Sequence, residues 1–257
     1  KLLKFLGYES DYWSPKTFNQ TIMKLTKINS KFPKNIEIEV SDNEKFIIFG
    51  ALGGAFHSLV RDLKELEKKE FINNDLKLKF KNHYIIFLGN VVGTSPYNME
   101  TLFLVTDLIQ KNVGQVFYLE GAEEYREFWA DRTFGKEIAI KGISPSSKKD
   151  SLKNLMKDFF ITLPSTVVLN LPKSKESILI SYFTKPKDTK LSPKYGMSLE
   201  FHSDAPKKEF PENGIILTSE NNKKIVQILS SPTRTNRYLY SISNDNFAIL
   251  DIKDGKY

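Results

Sequence analysis

KFIIFGALGG at 45–54, YIIFLGNVVGTS at 84–95 and VFYLEGAEE at 116–124 decide how this chain folds. Each is a short, almost continuously apolar run, too short for a helix of ordinary length, that gives way to a glycine-containing loop. Runs apolar at every position fit strands covered on both faces. Between them lie stretches with helical spacing: Ser58, Leu59, Leu63 and Leu66 after the first loop, then Leu102, Val105, Leu108 and Ile109 after the second, ended by Gly114. Strands alternating with amphipathic helices predict parallel βαβ units, whose functional loops sit at the carboxyl ends of the strands.

Working outward, Phe18, Ile22, Leu25 and Ile28 predict an amphipathic helix over 15–29, in an N-terminal segment, 1–39, read as an extension of the main domain at 40–257. Residues 67–82 read as a polar connection. A short helix is expected around Tyr125, Phe128 and Trp129, an exposed loop over 133–150, and another helix over 152–160. The second half changes character. Thr166–Leu169, Ser177–Phe183, Gly214–Leu217, Ile225–Leu229 and Phe247–Ile252 are strand-like runs divided by polar turns, read as a second sheet stacked on the first.

With 257 residues and 40% hydrophobic content, the chain is long enough for a substantial core. No apolar run reaches the roughly 18 residues of a membrane span. It opens at Lys1 rather than methionine, which suggests a processed or trimmed chain. The absence of cysteine excludes disulfides, thiolate metal sites and cysteine nucleophiles, and leaves the compartment open. Net charge is +7, but lysines and acids alternate along the sequence, so no basic face for nucleic acid or an anionic membrane is legible.

The order of these segments resembles the calcineurin-like metallophosphoesterases, and within them the serine/threonine phosphoprotein phosphatases. That family reads GDxHG, GDxxDRG and GNHE after three buried strands, which 45–54, 84–95 and 116–124 resemble in turn. Leu163-Pro164, ILISYFT at 178–184, FHSDAP at 201–206, GIILTSE at 214–220, IVQILSSPTRTN at 225–236 and the strand from Phe247 continue the likeness in order over roughly 40–257. The resemblance implies an α/β, metallophosphatase-like four-layer sandwich of two mixed β-sheets flanked by helices.

It also implies a pair of metal ions held by aspartate, histidine and asparagine, and here the sequence departs from the family. Ala51 and Gly53 stand for the first aspartate and histidine, Asn90 for the bridging aspartate, and Ala122 and Glu123 for Asn-His of the third motif. The later histidines fall near Tyr182 and Ser219, and the acid-helper aspartate and phosphate-binding arginine become Gly93 and Thr94. Glu120 replaces the arginine before GNHE, where its charge would repel a phosphate dianion. Hard divalent metals need anionic oxygens or imidazoles. The reading is therefore a pseudophosphatase without catalytic residues, cofactor or metal, serving as a protein-binding or structural module within a larger assembly, with a protein as its partner.

An alternative is a rebuilt site with one cation on Asn90, Glu123 and Glu124; the competing account of those acids is that they complement a helix N-terminus. The three histidines, His57, His83 and His202, match no ligand position. His202-Ser203-Asp204 spells a hydrolase trio in sequence, but a relay needs convergence in space rather than adjacency. Gly50, Gly54, Gly89 and Gly121 are expected where the strand-to-loop turns demand a permissive backbone.

Overall fold

The computed structural model describes residues 15–125, 127–140, 152–183, 193–203, 215–220, 223–230 and 245–257. Asp204, the 141–150 part of the predicted loop and the 231–236 end of the IVQILSSPTRTN segment lie outside these residues.

The three opening runs become strands β2 (Glu44–Phe49), β3 (His83–Phe87) and β4 (Val116–Tyr118), paired in parallel. Their alternation explains the continuous hydrophobicity. Ile47, Phe49, Ile85, Phe87, Val116 and Tyr118 point into a cluster built with the helices. Phe46, Ile48, Ile86, Leu88, Phe117 and Leu119 point into a second cluster shared with the other sheet. A sheet covered on both faces has no polar side to display.

The helices cover the first of these faces. They are α1 (Pro15–Asn29), α2 (Phe56–Lys68), α3 (Asn98–Lys111), α4 (Ala122–Tyr125), α5 (Phe128–Asp131), α6 (Thr133–Ile140) and α7 (Leu152–Ile161). Phe18, Ile22 and Leu25 of α1 are fully buried among them, so the segment read as an extension is part of the main core. Residues 133–140, expected as loop, are helical because Phe134 and Ile138 fall one turn apart and both bury. Among the described residues, no helix is long and apolar enough to cross a membrane.

The second sheet has six strands in the order β1-β5-β6-β7-β9-β8, with parallel and antiparallel pairs. They are β1 (Asn35–Glu39), β5 (Thr166–Leu171), β6 (Glu176–Ser181), β7 (Gly196–His202), β8 (Ile215–Glu220) and β9 (Lys223–Ile228). β1 pairs in parallel with β5, so the 1–39 segment contributes a strand as well as a helix. The last strand, β10 (Ala248–Ile252), does not join this sheet as expected. It pairs antiparallel with β2 and completes the four-stranded sheet, order β10-β2-β3-β4. Leu250 and Ile252 face the inter-sheet cluster there, next to Phe46. Helices, four-stranded sheet and six-stranded sheet account for three of the four expected layers among the described residues.

Candidate functional site

The carboxyl ends of β2, β3, β4, β6, β7 and β9 meet at one end of the sandwich, joined by a parallel bridge between Ala51 and Leu229. Here the loops are closed by internal hydrogen bonds. Gly50 N–H donates to Ser230 Oγ at 2.8 Å and Ala51 N–H to Ser203 Oγ at 2.7 Å, while the Ser203 hydroxyl donates to the Ile228 carbonyl at 3.0 Å. Leu52 and Gly53 N–H both donate to the Asn90 carbonyl, and Gly93 N–H to Asn98 Oδ1. Gly89 takes φ +106, in the region glycine favours. Gly50 has an ordinary torsion; its need is space, since a β-carbon would overlap the Ile228 carbonyl.

Asn90 is central to the site. Its backbone takes φ +49, a left-handed conformation that asparagine tolerates. Its side-chain oxygen accepts the Glu123 N–H at 2.9 Å and its amide donates to the Tyr182 hydroxyl at 2.8 Å. Both ends of the amide are thus engaged by the protein itself.

Glu124 organises the surrounding backbone. Its carboxylate accepts Asn90 N–H at 2.9 Å, Val91 N–H at 3.1 Å, Gly121 N–H at 3.1 Å and the Tyr118 hydroxyl at 2.6 Å. Burial pushes the carboxyl up to about 7, against the pull of the Tyr118 hydroxyl and the backbone amides. The Tyr118 phenol is held well above its usual range by burial and by the neighbouring Glu124 charge. The fourth letter of the third loop is therefore a brace between two loops.

The other acids turn elsewhere. Glu123 pairs with Arg132, its second oxygen buried without a partner, and burial raises its carboxyl. Glu120 accepts from Ser165 Oγ at 3.2 Å and is likewise raised by burial, opposed by Lys34. Asn90, Glu123 and Glu124 are neighbours, yet their side chains engage Tyr182, Arg132 and Tyr118 in three directions. Among the described residues, no three histidine, aspartate or glutamate side chains are placed to hold a metal ion together.

Of the remaining expected positions, Ala51, Gly53 and Gly93 are buried in the loops, Ala122 is half-buried and Thr94 is exposed. Ser219 is misplaced by the motif comparison. β8 runs antiparallel to β9, with Ile215 opposite Ile228 and Ser219 opposite Lys224, so Ser219 lies at the end of the sheet away from Tyr182 and Leu229.

The histidines have other roles. His57 is exposed with its ring 5.0 Å from Tyr97, and His83 packs against Phe71 and Phe80, its imidazole pushed down by burial and by Lys45. β7 ends at His202, and Ser203 turns to the loops, where it donates to the Ile228 carbonyl and accepts Ala51 N–H, so the two do not form a pair. His202 instead lies between Ser181, 3.2 Å from Nδ1, and Glu200, 3.1 Å from Nε2. All three are buried, and the Ser181 hydroxyl donates to the Phe183 carbonyl at 2.7 Å, so the group serves as a polar strut between β6 and β7. The alternation Glu200-Phe201-His202 was the only signal of it in the sequence.

No family model matches the sequence and no curated protein matches it. Among solved structures, it is similar to a protein serine/threonine phosphatase from Saccharomyces cerevisiae described as having similarity to human phosphatase PP5. The TM-score is 0.65 with 15% identity, over 94% of this chain and 90% of that one. A cold-active protein-tyrosine phosphatase of a psychrophilic Shewanella matches at TM-score 0.40 and 14% identity, over 62% of this chain and 46% of that one, too low to carry an argument. At 15% identity the yeast likeness speaks to architecture alone. The chain therefore has the metallophosphoesterase fold, with two mixed sheets flanked by helices.

Proposed function

We propose that this chain is a phosphatase-like scaffold that does not hydrolyse phosphoesters at its inherited cleft and that serves as a protein-binding or structural module in a larger assembly. The observation that carries the reading is the Asn90 amide, closed on one side by Glu123 N–H and on the other by the Tyr182 hydroxyl. The residues present do not fit a two-metal centre. Ala51 and Gly53 offer no donor atom, and Asn90 offers a neutral oxygen that is already in use.

The partner half of the reading is supported by the surface beside these loops, where Tyr97, Tyr125 and Phe128 are exposed, Phe128 under the Arg132 guanidinium that pairs with Glu123. The single-cation alternative would need Asn90, Glu123 and Glu124 to point at one place, and no observation favours it over their present partners.

The test is manganese titration by calorimetry alongside hydrolysis of a generic aryl phosphate. No stoichiometric binding and no turnover are expected. Two equivalents of metal bound, with turnover abolished by Asn90→Ala, overturns the reading. For the assembly, the full-length protein in a gently prepared extract of its own cells should migrate well above its monomer mass; a free monomer there removes that half of the proposal.

A further inference from the structure

At the end of the sandwich opposite the cleft, the connection leading into β3 carries Lys77-Leu78-Lys79-Phe80-Lys81. The three lysines are exposed and Phe80 is 50% exposed, its ring leaning on His83 at 4.7 Å. Lys77 and Lys81 have no carboxylate partner among the described residues, and Lys79 has a loose one in Glu70 at 3.3 Å. Asp75 is the one other acid close by in sequence.

The connection is held in place from one side. Asn112 accepts Leu78 N–H at 2.8 Å and donates to the Leu76 carbonyl at 2.8 Å, and the Gln115 amide donates to the carbonyls of Phe80 at 2.9 Å and His83 at 2.8 Å. The turn between those two residues carries Val113, itself 55% exposed, so a second apolar side chain stands alongside the lysine loop. Strand directions bring further turns to the same end. Lys45, Lys173 and Lys194 there are held by Asp251, Asp42 and Glu39, while exposed Lys175, Lys253 and Lys256 have no ion pair among the described residues.

We infer that this loop, with Phe80 set among Lys77, Lys79 and Lys81 and the turn bearing Val113 next to it, docks the protein on an anionic lipid bilayer. Lysines at the headgroup level are drawn by the surface potential, and an apolar side chain between them enters the interface. Because the loop is braced in the free protein, little ordering is lost on contact. Nucleic acid is the poorer fit. None of the five arginines lies in the loop to form forked phosphate contacts. The inference is independent of what the cleft does.

The experiment is co-sedimentation of the full chain with vesicles of phosphatidylcholine, alone or mixed with phosphatidylserine, at low and physiological salt. Binding only to the mixed vesicles, weakening as salt rises, is expected. Lys79→Glu with Lys81→Glu should cut it by at least about thirtyfold, and Phe80→Ser several-fold. Phe80→Trp should shift its emission to the blue when mixed vesicles are added. All these side chains are exposed, so thermal melts of the variants check that folding is intact. No binding to mixed vesicles at low salt overturns the inference, as does binding unchanged by the loop variants. Loop-dependent binding to a single-stranded oligonucleotide without vesicle binding overturns it too.

Discussion

The two ends of the sandwich use their polar groups in opposite ways. At the cleft end, the side chains of Ser203, Ser230, Asn98, Asn90 and Glu124 are spent on backbone amides of neighbouring loops. At the far end, Asn112 and Gln115 secure a turn whose lysines and phenylalanine face outward. The first arrangement stabilises loops and leaves little for a ligand; the second stabilises a loop so that its side chains can be displayed. Finding polar residues in loops does not by itself locate function. Which groups already have partners decides it.

The largest effect should come from removing the brace at the cleft end. Glu124→Ala leaves three backbone N–H groups and the Tyr118 hydroxyl unpaired in a buried place, and should cost about 3–5 kcal/mol in urea unfolding. A loss under about 1 kcal/mol would mean that this end is not held as described.

Next comes a buried acid on α2. Asp62 of α2 is buried with one oxygen unpartnered, and burial, then the neighbouring Asp245, pushes its carboxyl up to about 8. The unfolded chain releases that proton near 3.8, so between the two values folding takes up a proton and stability falls as pH rises. Asp62→Asn should flatten this dependence, its advantage over the parent growing between pH 5 and pH 8 by at most about 1.4 kcal/mol per pH unit. Melting curves across that range give the answer.

Tyr182→Phe is a smaller perturbation. It removes the acceptor for the Asn90 amide and should cost about 1 kcal/mol. It should not create manganese binding, which calorimetry can check, because Ala51 and Gly53 still lack donor atoms. The least effect belongs to the far end. Lys79→Glu with Lys81→Glu should change unfolding free energy by no more than about 1 kcal/mol, since the one ion pair lost, Lys79 with Glu70, is exposed.

Much of the architecture was legible because burial on both faces writes itself into strands such as Ile47-Ile48-Phe49 without ambiguity. The helix at 15–29 was equally plain from Phe18, Ile22 and Leu25. β7 was missed because Gly196-Met197-Ser198 carries no strand signal ahead of Leu199. The partner of β10 was missed because a local pattern says a strand exists and nothing of which sheet recruits it; pairing with β2 is a long-range choice made by Leu250 and Ile252 against Phe46. At the cleft, the identities of Ala51, Gly53 and Asn90 were readable. Closure of the site by Ser203 and Ser230 was not, because they reach Ala51 and Gly50 only after both sheets stack, nor was the brace from Glu124 to the Asn90 loop 34 residues away. The lysine end was hidden for the same reason, since charges interspersed along the sequence are sorted only when strand directions carry their turns to one side.

The pairing of β10 with β2 also sets an order of events during synthesis. β2 leaves the ribosome early, with β3 and β4 soon available on one side, whereas the neighbour on its other side is translated only after the whole six-stranded sheet. Until then β2 presents an unpaired backbone edge on that side. Slow translation ahead of Ala248 should therefore lengthen the interval in which a chaperone is needed, and a pulse-chase of chaperone occupancy on stalled chains would time it.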